Sequence, residues 1–217
     1  MGYNRIYNLD RVYGEEIPTM GKTNYHHGAL REALIETGIQ MVVEEGIENF
    51  SLRKVAAKCN VSHTAPYKHF KNKEEFIDEI MAYVMKDFSD EILRVAREYP
   101  NEFCILEIGK RYVTYMLEHK DYFQLLFSGD RKAVVTIEDG KFIYEKGHPF
   151  GTFAEVTTQF LKDMVVDEKK RNHIILHCWS IVHGLAHLII SGIVQYNGDA
   201  SQLTELILRS MEFEDKI

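Results

Sequence analysis

The sequence of 217 residues contains only three cysteines, and Cys59, Cys104 and Cys178 lie far apart along it. An odd, scattered set of thiols argues against the disulfide framework of a small secreted domain and predicts reduced cysteines in a cytosol. The sequence has no run of eighteen apolar residues, and its first twenty residues have no apolar core segment. We therefore expect neither a membrane span nor a signal peptide, and we predict a cytoplasmic protein.

Signatures of catalysis are also missing. There is no nucleophile elbow, no paired-carboxylate pattern and no dinucleotide-binding fingerprint. Four histidines in a late helical pattern form two pairs spaced i, i+4, which is a spacing that can hold zinc: His173, His177, His183 and His187. No glutamate follows His173 or His183, as the metalloprotease motif requires. Histidines among Trp and Ile are more often core or interface groups, so we predict no enzyme activity, no metal site and no cofactor.

What the sequence does contain is one basic segment in an acidic chain. Residues 51–73 carry six Lys or Arg and no Asp or Glu, whereas the whole chain has a net charge of −7. A solvated charged face would explain charge alone. Phosphate is the anion that such a segment would bind if the charges lie on an ordered surface.

The apolar residues of this segment predict that order. Four of them are spaced i, i+3, i+4 and i+7, on one face of a short helix: Leu52, Val55, Ala56 and Cys59. Ser51 is a good N-cap for this helix, and Asn60 can adopt the left-handed conformation that ends it. A second short helix is expected from His63 to Phe70, starting near Ser62, because Pro66 is tolerated only near a helix start. Two short helices joined by a tight turn form the unit that places its second helix in the DNA major groove.

The stretch VSHTAPYKHFKNKEEF resembles the recognition helix and following linker of the tetracycline-repressor (TetR) family of bacterial transcription regulators. In that family a Tyr, a basic or aromatic residue, a Phe and a Lys recur at the spacing of Tyr67, His69, Phe70 and Lys73. The resemblance covers residues 25–80 and returns more weakly over residues 178–186. It implies that Lys73 contacts phosphate.

The resemblance also implies an all-α fold with an N-terminal three-helix DNA-binding domain and a larger C-terminal helical domain for ligand binding and dimerisation. We expect a mobile extension over residues 1–21, the helix-turn-helix domain over 22–72 and the larger domain over 73–217. The residues predicted to contact DNA are Ser51, Arg53, Ser62, His63, Thr64, Ala65, Tyr67, Lys68, His69 and Lys73. Short polar side chains would read base edges, the longer basic and phenolic ones would contact phosphate, and Ala65 would pack on a thymine methyl group.

Downstream, apolar periodicity predicts helices over residues 73–97, 103–118, 121–127, 150–166, 167–195 and 201–213. The segments Val134–Ile137 and Lys141–Tyr144 flank Asp139-Gly140, a favourable hairpin turn. An all-helical fold would not need a hairpin, so residues 131–150 form either a short hairpin or an irregular excursion.

Two further sets of residues follow from this organisation. The side chains expected to line an effector pocket are Tyr83, Cys104, Tyr112, Tyr115 and Phe127, which combine aromatic surface with a few polar groups. The last two helices are expected to form the interface of a homodimer, through Trp179, Val182, Leu185, Ile189, Leu206 and Ile207.

The sequence thus predicts a homodimeric, ligand-responsive transcriptional regulator, with repression the commoner mode in the resembling family. Its partners would be a near-palindromic double-stranded DNA operator, a second copy of the chain and a small-molecule effector, and not a membrane. The alternative is a helical carrier or enzyme without DNA function, which the acidic total and the histidine-rich helix would favour.

Overall fold

The computed structural model describes residues 25–100, 103–127, 134–144, 148–162 and 167–210, which form eight α-helices and one two-stranded sheet. The helices are α1 (Tyr25–Asn49), α2 (Leu52–Lys58), α3 (Lys73–Glu98), α4 (Cys104–Glu118), α5 (Lys120–Phe127), α6 (Pro149–Leu161), α7 (Glu168–Ile190) and α8 (Ala200–Arg209). The strands are β1 (Thr136–Glu138) and β2 (Lys141–Ile143). The predicted helical fold is confirmed, whereas the extension at residues 1–21 lies outside the described residues.

The described residues divide into two compact units. The N-terminal unit contains residues 25–85 and 121–127, and the C-terminal unit contains the described residues of 86–120 and 134–210. Helix α3 contributes its first half to one unit and its second half to the other. The functional boundaries drawn at residues 22, 72 and 73 stay a prediction.

The N-terminal unit is built around one apolar cluster. Its members come from α1, α2, α3, α5 and the segment before α3, and include Leu34, Ile35, Ile39, Met41, Val55, Phe70, Phe76, Ile77, Ile80, Leu125 and Leu126. Helices α1 and α3 approach closely, since a Cβ atom at Gly38 would lie 2.4 Å from the Phe76 ring. This packing fixes the base on which α2 and the residues after it rest.

Helix α1 is kinked near its end, where Gly46 breaks the helical backbone with φ 79° and ψ 158°. Helical backbone resumes after this kink and continues to Asn49. Glycine suits the position because residues with a Cβ rarely adopt such a positive φ.

In the C-terminal unit, α4 packs against both α7 and α8, and α6 packs against α7. The three helices α4, α7 and α8 meet at Gly109, where a Cβ would lie 2.7 Å from Leu208 and 3.3 Å from Val182. Tyr112, in the same helix as Gly109, is fully buried. The core therefore forms around α4.

The hairpin predicted around Asp139-Gly140 is present. Thr136 pairs with Ile143 and Glu138 with Lys141, and both turn residues have positive φ, 50° at Asp139 and 77° at Gly140. Two positive φ values are typical of the type I′ turn that joins twisted strands. The hairpin is attached to α7 by a hydrogen bond from the Asn172 side chain to the Gly140 carbonyl (2.8 Å).

By length and composition alone, α7 is long and apolar enough to cross a membrane. In the structure its inner face is part of the protein core, where Ile175, Trp179, Val182 and Ala186 are buried. A core helix of a soluble protein meets the same two criteria. This face packs against α4 and α6, and 28% of the most apolar part of the helix is buried.

Candidate nucleic-acid interface

Helix α2 is closed at both ends by the residues that the sequence predicts. The Lys54 amide donates to Ser51 Oγ (3.3 Å) at the start. At the end, Asn60 has φ 55°, its amide donates to the Ala57 carbonyl (3.1 Å), and the Val61 amide donates to the Ala56 carbonyl (2.9 Å). This pair of bonds is the Schellman motif, which satisfies the last carbonyls of a helix. The turn after α2 is therefore fixed by backbone hydrogen bonds.

The second helix of the unit is not the α-helix predicted from His63 to Phe70. Only Pro66–Lys68 are helical there, and they form a 3₁₀ turn. The Ala65 amide donates to the Ser62 carbonyl, and the His69 amide donates to the Pro66 carbonyl, so the bonds close three residues back (2.9 Å each). Proline explains the difference, because Pro66 has no N–H and its ring would clash with the carbonyl four residues earlier in an α-helix. We call residues 62–70 the recognition segment.

The recognition segment presents most of the predicted contact residues to solvent. Ser62, His63, Thr64 and Lys68 are exposed, and the Tyr67 side chain is 50% exposed. The hydroxyls of Ser62 and Thr64 lie 3.2 Å apart and share a hydrogen bond. These groups offer donors and acceptors of the kind that contact base edges and phosphates.

The prediction for Ala65 is wrong. Ala65 is only 8% exposed and precedes the 3₁₀ turn directly. Its methyl group packs inside the unit, so it has too little surface to contact a thymine methyl group.

Phe70 holds the recognition segment on the core. Its side chain is buried and meets Phe76 of α3 edge to face, with ring centroids 4.4 Å apart. Phe76 in turn stacks on Phe50 at 5.3 Å. Because the amides of both His69 and Phe70 donate to the Pro66 carbonyl (2.9 Å), this buried ring fixes the turn that carries Tyr67.

Only part of the basic charge predicted for this surface is free to meet phosphate. Lys54 Nζ lies 2.7 Å from the Glu45 carboxylate and also donates to the Asn49 carbonyl (3.1 Å), and its hydrogen bond lowers the pKa of Glu45. Lys58 Nζ lies 3.3 Å from the Glu44 carboxylate. Both pairs join α2 to α1, an arrangement that sequence inspection missed because the partners are nine and fourteen residues apart.

The other cations are differently placed. Arg53 and Lys68 are exposed and form no ion pair with a described residue. Lys71 Nζ lies 3.9 Å from the Glu75 carboxylate, and the Lys71 side chain is almost fully exposed. Lys73, at the start of α3, donates to the Glu48 carbonyl at the end of α1 (3.4 Å).

Asn72 caps the start of α3. The Glu75 amide donates to Asn72 Oδ1 (2.8 Å), and the Glu75 carboxylate accepts from the Lys71 amide. This reciprocal pair resembles a capping box, except that the Glu75 carboxylate accepts from the Lys71 amide and not from the amide of the cap residue Asn72. It joins the end of the recognition segment to α3.

The residues predicted to line an effector pocket lie in different cores. Tyr83 and Phe127 pack on the apolar cluster of the N-terminal unit. Cys104, Tyr112 and Tyr115 are buried in the C-terminal unit, where burial raises the pKa of the Cys104 thiol to about 12. The structure therefore groups the five residues into two sets.

The C-terminal core also contains a polar contact that the sequence did not reveal. Tyr112 Oη lies 2.8 Å from His183 Nδ1, and the Tyr112 ring meets Trp179 at 4.9 Å. Burial, together with the charge of His187, lowers the pKa of His183 to about 4. His183 is thus a neutral hydrogen-bonding group in this core, and within the described ranges no three His, Cys, Asp or Glu side chains come together as a metal-binding group.

Half of the predicted interface residues have little surface for a partner. Trp179, Val182 and Leu185 face the core of their own chain, because apolar periodicity identifies a buried face but not which chain buries it. Ile189 and Ile207 are half-buried, and Leu206 is 68% exposed. These last three keep enough surface for the predicted role.

Comparison with known proteins gives two family matches. Residues 34–80 match the family described as "Bacterial regulatory proteins, tetR family". Residues 105–211 match the family described as "Tetracyclin repressor-like, C-terminal domain". The first match includes α2, the recognition segment and the start of α3, and the second includes the Tyr112–His183 contact.

Individual relatives are distant. The chain is 21% identical over 103 residues to an HTH-type transcriptional regulator of Staphylococcus aureus (strain MRSA252), a match covering 47% of this chain and 56% of that protein. The chain therefore spans about half the length of this curated relative.

Two solved structures have a similar fold. One is a TetR-family transcriptional regulator from Bordetella parapertussis 12822 (TM-score 0.58, 14% identity, 83% of this chain and 92% of that chain). The other is the transcriptional regulator FadR from Bacillus subtilis in complex with stearoyl-CoA (TM-score 0.61, 14% identity, 82% and 95%). At such identities the likeness concerns the fold alone.

Proposed function

The chain belongs to the tetR family of bacterial regulatory proteins, and from this premise we propose that it is a cytoplasmic, ligand-responsive transcriptional repressor that binds a near-palindromic operator as a homodimer. The observation that carries the proposal is the recognition segment. It presents Tyr67, Lys68 and the Ser62–Thr64 hydroxyl pair to solvent from a turn fixed by backbone hydrogen bonds and by the buried Phe70 ring.

The contacts divide by chemistry. Thr64 and His63, at the start of the recognition segment, read base edges through short polar groups. Lys68, His69 and Lys73 contact phosphate, with the α2 cap Ser51 and Arg53 of α2 on the neighbouring backbone. Replacing Thr64 should then change which sequence is preferred, whereas replacing Lys73 should weaken binding to all sequences alike.

Exposed apolar surface supports the dimer. Leu206 on α8 and Ile193 after α7 are among the most exposed large apolar side chains described. Gly184, in the middle of α7, has no atom within 4 Å of where a Cβ would be. A helical glycine costs about 1 kcal/mol relative to alanine, and close approach by a helix of a second copy would give it a purpose. Twofold symmetry would place two recognition segments about 34 Å apart, one helical turn of DNA.

Effector binding is assigned to the C-terminal unit. The Tyr112–His183 hydrogen bond lies among aromatic rings and would be open to replacement by a polar group of a small ligand. Helix α3, which has residues in both units, would carry the change to the DNA-binding residues. The coupling is reciprocal. An effector that lowers the affinity for the operator must therefore bind the operator-bound protein more weakly than the free protein, by the same factor.

Selection of DNA fragments by the purified protein tests this function. Wild-type protein should enrich one near-palindromic site from a random pool, and Tyr67→Ala should not. Tyr99→Ala, which changes a half-exposed tyrosine in the C-terminal unit, is the matched control and should enrich the same site. Enrichment of nothing by a folded wild-type dimer at low salt would refute the proposal and favour the helical carrier.

A further inference from the structure

We propose that Arg31 of α1 is a positioning residue for DNA recognition, which acts by holding Phe70 and through it the recognition segment. The predicted effect of Arg31 on DNA binding rests on the proposed function. Its effect on the position of Phe70 can be measured without DNA. Arg31 is not among the residues that the sequence predicts to contact DNA. Its contact with Phe70 is visible only in the folded chain.

Arg31 joins three parts of the N-terminal unit. It belongs to α1, its guanidinium carbon lies 5.6 Å from the centre of the Phe70 ring, and one of its nitrogens donates to the Glu79 carboxylate of α3. The guanidinium therefore covers the Phe70 ring from one side. The Phe76 ring of α3 packs against the Phe70 ring, with the two ring centroids 4.4 Å apart. Phe70 is the last residue of the recognition segment.

The position of Phe70 determines that of the turn before it. Its amide and the His69 amide both donate to the Pro66 carbonyl at 2.9 Å. A shift of the Phe70 ring would strain these bonds and move Tyr67 and Lys68, which occupy the turn between Pro66 and His69. A displacement near 1 Å is enough to weaken geometrically demanding contacts.

The chemistry of the contact requires arginine. A planar guanidinium can lie over an aromatic ring and donate in its own plane to a carboxylate at the same time, whereas a lysine ammonium is a point donor. Arg31 forms an ion pair with Glu79, whereas the exposed Arg53 and Lys68 form none with a described residue. Arg31 is thus suited to fixing the protein surface and is poorly placed to add a phosphate contact.

Amide hydrogen exchange measures the structural part. Arg31→Gln and Arg31→Lys should both speed native-state exchange at His69 and Phe70, by about fivefold for a contact of about 1 kcal/mol. The Val61 amide, which donates to Ala56 in the Schellman turn, is the internal control and should keep its rate. Equal acceleration at all three amides would mean general destabilisation, and no acceleration at His69 and Phe70 would mean that Arg31 does not hold the segment. Either result overturns the proposal.

Salt dependence of operator binding separates positioning from direct contact. Arg31→Lys and Arg31→Gln should lower affinity by about fivefold per recognition segment while leaving the slope of log affinity against log salt unchanged. Lys86→Gln, which breaks an exposed ion pair with Asp90 in the C-terminal unit, controls for lost charge and should leave both unchanged.

A slope shallower by about 0.9 per segment would show that Arg31 contacts phosphate and would overturn the proposal. Unaltered affinity in both Arg31 variants would do the same. Failure of the wild type to bind any operator would refute the proposed function instead, and the exchange rates would still decide whether Arg31 holds Phe70.

Discussion

The salt dependence of DNA binding should reveal which lysines of the basic segment meet phosphate. Lys68 is exposed without an ion pair among the described residues, whereas Lys54 is held 2.7 Å from Glu45 and hydrogen-bonded to the Asn49 carbonyl. We predict that Lys68→Ala flattens the salt dependence and that Lys54→Ala leaves it unchanged. The two variants remove the same charge from the same surface and differ only in how that charge is used.

The size of the effect follows from counterion release. Each phosphate contact contributes about 0.9 to the slope of log affinity against log salt, so losing Lys68 from both subunits of a dimer should reduce the slope by about 1.8. Over a roughly fourfold rise in salt, wild-type affinity should then fall about tenfold further than that of Lys68→Ala. Neither change should alter folding stability by more than about 1 kcal/mol, because both side chains are on the surface.

Fluorescence anisotropy with a labelled operator, repeated at four or more salt concentrations, gives these slopes. The Lys141→Ala variant, which removes an exposed lysine from the hairpin, should have the wild-type slope. The reasoning fails if Lys54→Ala flattens the slope as much as Lys68→Ala does, since the contacts with Glu45 and Asn49 would then not withhold Lys54 from DNA.

Three further predictions concern the C-terminal unit. Leu206→Glu should convert a dimer into a folded monomer in analytical ultracentrifugation, because it places a charge at a position whose side chain is 68% exposed and is predicted to lie in the interface. The control Ile137→Glu, at a hairpin position that is 52% exposed, should stay dimeric. A dimeric Leu206→Glu variant would exclude α8 from the interface. Tyr112→Phe should lower the free energy of unfolding by about 1 kcal/mol in urea titrations, since it removes the hydrogen bond to His183, and unchanged stability would show that this bond adds nothing. Glu91 accepts hydrogen bonds from Arg94 and Arg111, which lower its pKa from 4.5 to about 2, so its contribution to stability is complete above pH 4.5 and is lost as the pH falls toward 2. Glu91→Gln should therefore lose stability less steeply than wild type over that range, and parallel curves would refute the assignment.

Local chemistry was predictable from the sequence wherever a few adjacent residues decide the outcome. Ser51 caps α2, Asn60 takes the left-handed position after it, and Asp139-Gly140 makes the hairpin turn. Each of these depends on a backbone preference or a hydrogen bond within about three residues. Such preferences act before any tertiary contact forms.

The recognition segment was only partly predictable. The turn after α2 and the exposed polar groups were expected, but the helix predicted over residues 63–70 is a three-residue 3₁₀ turn. The sequence argument allowed Pro66 in the first turn of an α-helix. In the structure Pro66 has no N–H to donate, and the amides of residue 65 and residues 67–69 donate three residues back. Only the Phe70 amide donates four residues back, to the Pro66 carbonyl, and one such bond does not make an α-helix.

Long-range partners were not predictable. Nothing in the spacing of the basic residues showed that Lys54 and Lys58 pair with α1, or that Arg31 covers Phe70. Trp179 lies on an apolar face that suits a subunit interface or a core equally well, and its contact with Tyr112 decides for the core. These relations exist only once the helices have packed.

The most direct test of the account is the ratio of affinities of the full-length protein for its selected operator and for a scrambled site, measured at one fixed salt concentration. Specific binding by a regulator should exceed non-specific binding by at least about 10³, and Tyr67→Ala should bring the ratio close to one. Equal affinity of the wild type for both sites, with the dimer and the recognition segment intact, would contradict the claim that this segment reads DNA sequence.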